Sequence, residues 1–114
     1  MDEHEDYLVG AWWIVWDGKE PVAFCGYRAA VTEPNTAYLS RCGVLASHRG
    51  RGIQKKLLQV RLRRIKALRF NSAISTTYLN TVSANNLIRA GFRLYDPRAP
   101  WGSPGTCYWR KEFP

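Results

Sequence analysis

The sequence has few cysteines and no long hydrophobic run, and each scarcity excludes a class of protein. Cys25, Cys42 and Cys107 are odd in number and widely separated, with no metal-ligand spacing. They favour a reduced compartment over a disulfide framework, and we expect no bound metal. No stretch of about 18 apolar residues occurs, so no membrane span is expected. The acidic start, residues 1–6, lacks the pattern of a signal peptide, and we expect a cytoplasmic protein.

Acidic residues are also scarce. Nine Asp and Glu residues stand against 17 Lys and Arg residues, which gives a net charge of +8. This balance favours an anionic partner, such as a nucleotide cofactor, an acidic protein surface or nucleic acid. Many of the basic residues follow residue 52, and we expect them on the solvated face of a helix: Lys55, Lys56, Arg61, Arg63, Arg64, Lys66 and Arg69.

Length and composition are those of one globular domain. Of the 114 residues, 46% are hydrophobic and 13% are aromatic, which is enough for one modest core. No repeat, linker or low-complexity segment occurs. We therefore treat residues 1–114 as a single domain.

Hydrophobic patterns and turn signals predict a mixed α/β fold. Strands are predicted over 11–16, 22–30, 37–44, 73–78, 93–95 and 106–113, and helices over 52–68 and from Ser83, as N-cap, to Gly91. The Asp17-Gly18 turn joins the first two strands, and both faces of that hairpin are apolar, so we expect it to be covered on both sides. The fourth strand follows a helix and should lie parallel to the third.

The first helix carries an apolar stripe that should face the core. Its members recur near helical spacing: Ile53, Leu57, Val60, Ile65 and Leu68. The charged residues of the helix are expected on the opposite side.

Residues 42–58 combine a short apolar strand, a glycine-rich turn and the start of that helix. Gly50 and Gly52 allow a tight turn with positive φ. The first amides of a helix have no intrahelical partner and carry the positive end of its dipole, so a phosphate fits there. Positive charge around that point is added by Arg49, Arg51, Lys55 and Lys56. An ordinary strand-to-helix turn with a basic surface is the alternative on these residues alone.

The order of residues in this loop adds a resemblance. Arg49 to Gln54 resembles the pyrophosphate loop of the GNAT superfamily of N-acetyltransferases, which reads Arg or Gln, any, any, Gly, any, then Gly or Ala. Gln54 departs from the pattern at the last position. In the family, the preceding strand ends in an apolar residue whose backbone pairs with the pantetheine arm of the cofactor, and Val44 occupies that place.

A second stretch resembles the C-terminal cofactor motif of the same family. Asn80, Ser83, Gly91 and Phe92 match it in spacing, and the two motifs stand in the family's order. The resemblance covers residues 11–113 and implies a GNAT-like mixed central sheet flanked by helices, with acetyl-CoA as acetyl donor. By resemblance, the cofactor-binding residues are Val44, Arg49, Gly50, Arg51, Gly52, Ile53, Gln54, Lys55, Asn80 and Ser83.

The catalytic residues stay unassigned. The family often has a Tyr as acid seven residues after the motif Asn and a Glu as base five residues before it, and this chain has Leu87 and Ser75 there. Six other groups are weighed as substitutes, although packing or solvent exposure is the commoner role for each: Tyr38, Tyr78, Tyr95, Tyr108, Cys42 and His48.

The resemblance implies an N-acetyltransferase that acts on an amine of a protein or of a small molecule. Two alternatives remain open at this point. One is a non-catalytic CoA-binding or protein-interaction module, and the other is a basic nucleic-acid-binding protein, which is the less favoured. An acidic protein partner and a homodimer are both compatible with the sequence.

Overall fold

A computed structural model describes residues 10–31 and 33–114. They form a six-stranded sheet in the order β1-β2-β3-β4-β6-β5. The strands are β1 (Gly10–Asp17), β2 (Glu20–Ala29), β3 (Thr36–Val44), β4 (Ser72–Thr77), β5 (Arg93–Leu94) and β6 (Cys107–Glu112), and the helices are α1 (Ile53–Ala67), α2 (Thr81–Arg89) and a 3-10 helix, Ala46–His48. The predicted mixed α/β sheet is confirmed, whereas the acidic start lies outside the described residues.

Strands β3 and β4 are the parallel pair within the described sheet. Helix α1 connects them, as the crossover argument predicts, and the other neighbouring strands run antiparallel. This connection places the start of α1 directly after the end of β3.

Both helices pack on one face of the sheet. Leu58 and Ile65 of α1 and Leu87 of α2 meet Tyr27 and Leu39 of the strands in one buried cluster. Of the stripe predicted for α1, Leu57 and Ile65 are buried, while Ile53, Val60 and Leu68 are half-buried at its margins.

The prediction that the β1–β2 hairpin is covered on both sides is wrong for the described part of the chain. Trp13 packs against the core cluster, but Trp12, Ile14 and Trp16 are 62%, 56% and 58% exposed. On this open face, the Trp12 ring lies directly over Gly26. An apolar face of this hairpin therefore does not imply a covering layer, because Gly26 in the neighbouring strand lets the Trp12 ring pack directly against the sheet.

The start of α2 also differs from the prediction. Asn80, and not Ser83, is the N-cap: its Oδ1 accepts a hydrogen bond of 3.0 Å from the Ser83 amide. The helix ends before Gly91, whose φ is +94°. None of the described helices is long and apolar enough to cross a membrane.

Ile65 should be a main contributor to stability, since its side chain is fully buried beneath the sheet. We expect Ile65→Ala to lower the free energy of unfolding by about 2–5 kcal/mol, because it removes buried methyl groups and leaves a cavity. Chemical denaturation measures the loss. Ile88→Ala is the matched control: Ile88 is 53% exposed, and its replacement should cost less than about 0.5 kcal/mol. Equal losses would contradict this account of the core.

Candidate functional site

A cleft opens where β3 and β4 separate. The two strands pair only over residues 36–38 and 72–74, although both continue further. The register of β3 against β2 shifts in the same region: Leu39 lies opposite Tyr27 and Cys42 opposite Cys25, so β3 has one residue more than β2 between these pairs. An extra residue of this kind bends a strand and increases its local twist, which turns β3 away from β4.

The cleft has a volume of about 240 Å³. Residues 38–42 of β3 and 75–78 at the end of β4 form its sides, and side chains of α1 and α2 form its floor. Among the described residues that line it, none is acidic and two are arginines, Arg41 and Arg61. The cleft is therefore suited to a polar or anionic ligand.

The glycine-rich loop has the predicted geometry for binding an anion. Gly50 and Gly52 have φ of +79° and +76°, and a Cβ on either would meet no atom within 4 Å, so backbone conformation and not crowding explains both glycines. The first helical hydrogen bond joins the Lys56 amide to the Gly52 carbonyl at 3.1 Å. The amides of residues 53–55 precede it, and no side chain of the described residues caps this helix start.

Two arginines hold the loop to the segment before it. Arg49 Nε donates to the Val44 carbonyl at the end of β3 at 3.1 Å, and Arg51 Nη2 donates to the Ser47 carbonyl of the 3-10 helix at 3.4 Å. Both side chains are exposed, so their charges are open to an anion in solution. The Val44 carbonyl, expected to bind the pantetheine arm, already accepts one hydrogen bond from Arg49, and a carbonyl oxygen can accept a second.

Gln54, the departure from the family pattern, joins the two motifs. Its Nε2 donates to Ser83 Oγ at 2.7 Å, and the Ser83 amide in turn donates to Asn80 Oδ1. Gln54, Asn80 and Ser83 all line the cleft. The structure thus brings the start of α1 and the start of α2 together at the cleft, while Arg49 to Ile53 and Lys55 belong to the loop and first turn beside it.

Arg61 was missed as a site residue by the sequence analysis. It was assigned to the solvated basic face, but it is only 5% exposed and lines the cleft. Its Nη1 donates to the carbonyls of Gly26 and Ser40 at 3.1 and 3.0 Å. Its position was the signal: Arg61 follows Leu57 by four residues and precedes Ile65 by four, so it continues the buried stripe.

The expected catalytic positions provide no acid or base. Leu87 lines the cleft as an apolar side chain, and Ser75 Oγ donates to the Leu39 carbonyl at 3.3 Å. Burial raises the pKa of the Cys42 thiol and raises that of Cys25 to about 11, so neither is a thiolate at neutral pH. Tyr38 OH and Thr76 Oγ1 share a hydrogen bond of 3.1 Å beside the cleft.

The remaining candidates lie outside the cleft, are largely exposed at its edge, or pack against other side chains. His48 Nε2 lies 2.9 Å from Asp17 Oδ2, outside the cleft, and links the loop to the β1–β2 turn. Tyr78 lines the cleft but is 55% exposed, just beyond the end of β4. Tyr95 and Tyr108 contact each other edge-on. Residues 10–31 and 33–114 contain no cluster of three or more potential metal ligands.

Comparison with known proteins defines the class of this fold and site. The IAA acetyltransferase of Bacillus cereus ATCC 14579 superposes on this chain with a TM-score of 0.75 at 18% sequence identity. The superposition covers 91% of this chain and 78% of that protein. The PaiA N-acetyltransferase of Thermoplasma acidophilum, in complex with coenzyme A, superposes with a TM-score of 0.79 at 15% sequence identity, over 97% of this chain and 65% of that protein. A Bacillus subtilis acetyltransferase, also in complex with CoA, superposes with a TM-score of 0.75 at 15% sequence identity, over 96% of this chain and 81% of that protein.

At sequence identities of 15% to 18%, the structural similarity establishes the fold alone, which is the fold of acetyltransferases. The model of the acetyltransferase (GNAT) family matches residues 1–92, and the chain belongs to that family. Acetyl-CoA as donor fits the family, and the coenzyme A complexes agree with it. The chain spans about two thirds of the Thermoplasma protein, and no curated protein sequence matches it.

Gly52→Asp tests the anion site. The new carboxylate would stand beside the unpaired amides and repel a diphosphate, and we expect CoA to bind at least about tenfold more weakly, which is ~1.4 kcal/mol. Gly18→Asp is the matched control, because Gly18 also has positive φ (+60°) with open space around its Cβ, but lies in the β1–β2 turn. Calorimetric titration of the folded variants decides. Equal affinities in the two variants would place the diphosphate elsewhere.

Gln54→Ala tests the bridge between the motifs. It removes the hydrogen bond to Ser83, which should lower the free energy of unfolding by about 0.5–1.5 kcal/mol. Affinity for CoA should stay within threefold of the parent or rise, as we assign donor binding here to the backbone amide. Gln59→Ala, at an exposed position of the same helix, is the control. A tenfold loss of CoA affinity would instead show that the Gln54 side chain contacts the donor.

Proposed function

We propose that the protein transfers the acetyl group of acetyl-CoA to an amine. The observation that carries the proposal is the continuity of the site: a helix start with unpaired amides leads into a cleft between two separating strands. The parts of acetyl-CoA follow the same order as the parts of the site: an anionic diphosphate, which suits the helix start, is joined by a polar arm to the thioester, which suits the cleft. The cofactor supplies the activated acetyl group when bound, and the chain supplies the binding surface and the charge.

The residues fit this donor in three respects. The amides of residues 53–55, with Arg49 and Arg51 beside them, would hold the diphosphate at the positive end of the α1 dipole. Beyond Tyr38, β3 makes no further backbone pair with β4, and the Leu39 and Ser40 carbonyls there accept from side chains instead. The other backbone groups of this segment can hydrogen-bond to an extended arm. The part of the lining that the structure describes has no acidic side chain to repel an anionic ligand.

The acceptor is proposed to be an amine of a protein or of a small molecule. Transfer needs this amine in its neutral form, because a protonated nitrogen has no lone pair for the acetyl carbon. No carboxylate or imidazole of the described residues lines the cleft, so we assign the removal of the amine proton to water. The rate then depends on holding donor and acceptor together, and on polarising the thioester carbonyl.

Binding and turnover test the proposal together. Calorimetric titration with CoA should show a single site, and release of free thiol from acetyl-CoA should depend on an added amine. A panel of amines, including small amines and peptide N-termini, would identify the acceptor. Tight CoA binding without turnover on any of them would favour the alternative of a non-catalytic module, while absence of CoA binding would contradict the proposal.

Catalysis without an enzyme base predicts a particular pH dependence. The value of kcat/KM should rise with pH toward the pKa of the acceptor amine, about 10.4 for a lysine-like amine, without a plateau near neutrality. The profile is measured with one defined amine over a range in which the protein stays folded. A bell-shaped profile with a basic limb at pH 6–7 would reveal a hidden catalytic group, and His48 would be the first residue to replace.

A further inference from the structure

The guanidinium of Arg61 is the one buried cation on the floor of the described cleft. Its Nε and Nη1 donate to the carbonyls of Leu57, Gly26 and Ser40. Its Nη2 has no acceptor among residues 10–31 and 33–114. It is not among the buried side-chain polar atoms of these residues that lack a partner, of which the Tyr95 hydroxyl is the one example. Because Arg61 lines the cleft, Nη2 is the guanidinium nitrogen left to contact a ligand there.

No anion of the described protein neutralises this charge. The ion pairs in the described residues involve His48 and Arg110, not Arg61. The titratable groups that act on Arg61 are the thiols of Cys25 on β2 and Cys42 on β3, and both stay protonated at neutral pH. Burial lowers the pKa of Arg61, but a guanidinium remains charged in proteins. A buried charge without a counter-ion is costly, so an anion in the cleft would gain strongly from it.

The position of Arg61 along the cleft indicates which anion this is. Arg61 lies eight residues after Ile53, which is about 12 Å along the helix axis from the first turn. A donor whose diphosphate lies at that turn carries its thioester at the far end of the arm. The Arg61 guanidinium contacts the Ser40 carbonyl, in the irregular part of β3 that lines the same cleft, so it lies beside the segment along which we propose the arm extends.

Resting on the proposed function, we infer that Arg61 stabilises the sulfur of CoA as it leaves. In the transfer, the amine nitrogen forms a bond to the acetyl carbon, the carbon–sulfur bond breaks, and the sulfur keeps the electron pair as a thiolate. The nitrogen loses one proton to water, and the thiolate takes up one proton from solvent. Arg61 donates no proton and acts by charge and hydrogen bonding through Nη2. Stabilisation of the thiolate by this charge thus takes the place of the proton donor that Leu87 cannot provide.

The pKa of the CoA thiol when bound to the unaltered protein is the first test. Ultraviolet absorbance of the thiolate is followed against pH for free CoA, for the protein alone and for the complex, and the protein's own thiols are subtracted. A nearby cation should lower the pKa of the bound thiol by about one unit or more. Burial without a cation would raise it, so an unchanged or raised pKa would overturn the inference.

Variants of Arg61 form the second test. Arg61→Gln should raise the pKa of the bound thiol by about one unit or more and lower kcat at least tenfold, with KM for acetyl-CoA within threefold. Arg61→Lys keeps the charge and should retain part of both effects. Arg63→Gln is the control, because Arg63 is an exposed arginine of the same helix. A thiol pKa that does not change in folded Arg61→Gln would contradict the inference.

The outcomes separate this inference from the proposed function. Failure of CoA to bind the unaltered protein contradicts both, whereas CoA binding with an unshifted thiol contradicts the role of Arg61 alone. If Arg61→Gln does not fold, the unaltered protein still tests the inference through the pH dependence of its affinity for two ligands. Affinity for CoA should rise with pH as the thiol ionises, whereas affinity for acetyl-CoA, which has no thiol, should rise less. Equal pH dependence of the two affinities would overturn the inference.

Discussion

The hydrogen bonds from Arg61 to two backbone carbonyls are the interaction on which the site depends. The irregular register of β3 would leave the carbonyls of Gly26 and Ser40 buried beneath α1 without partners, at a cost of about 1–3 kcal/mol each. Arg61 Nη1 binds both, so the bend in the strand is tied to the helix that follows it. These two hydrogen bonds thus connect the bend that opens the cleft to the helix whose start lies beside it.

The features that the sequence predicted well are those set by local rules. The alternation of strands and helices and the positive φ of Gly50 and Gly52 each depend on a few neighbouring residues. The parallel crossover through α1 joins distant residues, but it follows from a general rule for strand–helix–strand connections. The glycine-rich loop could be recognised for the same reason, since a tight turn before a helix start has a short and recognisable sequence. The membership of the acetyltransferase (GNAT) family, inferred from two such stretches, is confirmed.

The features that the sequence did not predict depend on distant contacts. Arg61 was grouped with its charged neighbours because its charge outweighed its position in the buried stripe. The link from Gln54 to Ser83 joins residues 29 positions apart, and no local pattern indicates it. The open aromatic face of the hairpin could not be told from a buried one, because both give the same alternation of apolar residues.

The opening between β3 and β4 is lined from both sides of the sheet. Leu58 and Leu87 reach it from the helices, whereas Tyr38, whose ring meets Trp101, belongs to the opposite face. It therefore borders both faces of the sheet at the point where the two strands separate. Under the proposed transfer, the donor arm can lie along the opening on one face while the acceptor reaches it from the other. Such an arrangement predicts that both reactants are bound before either product is released.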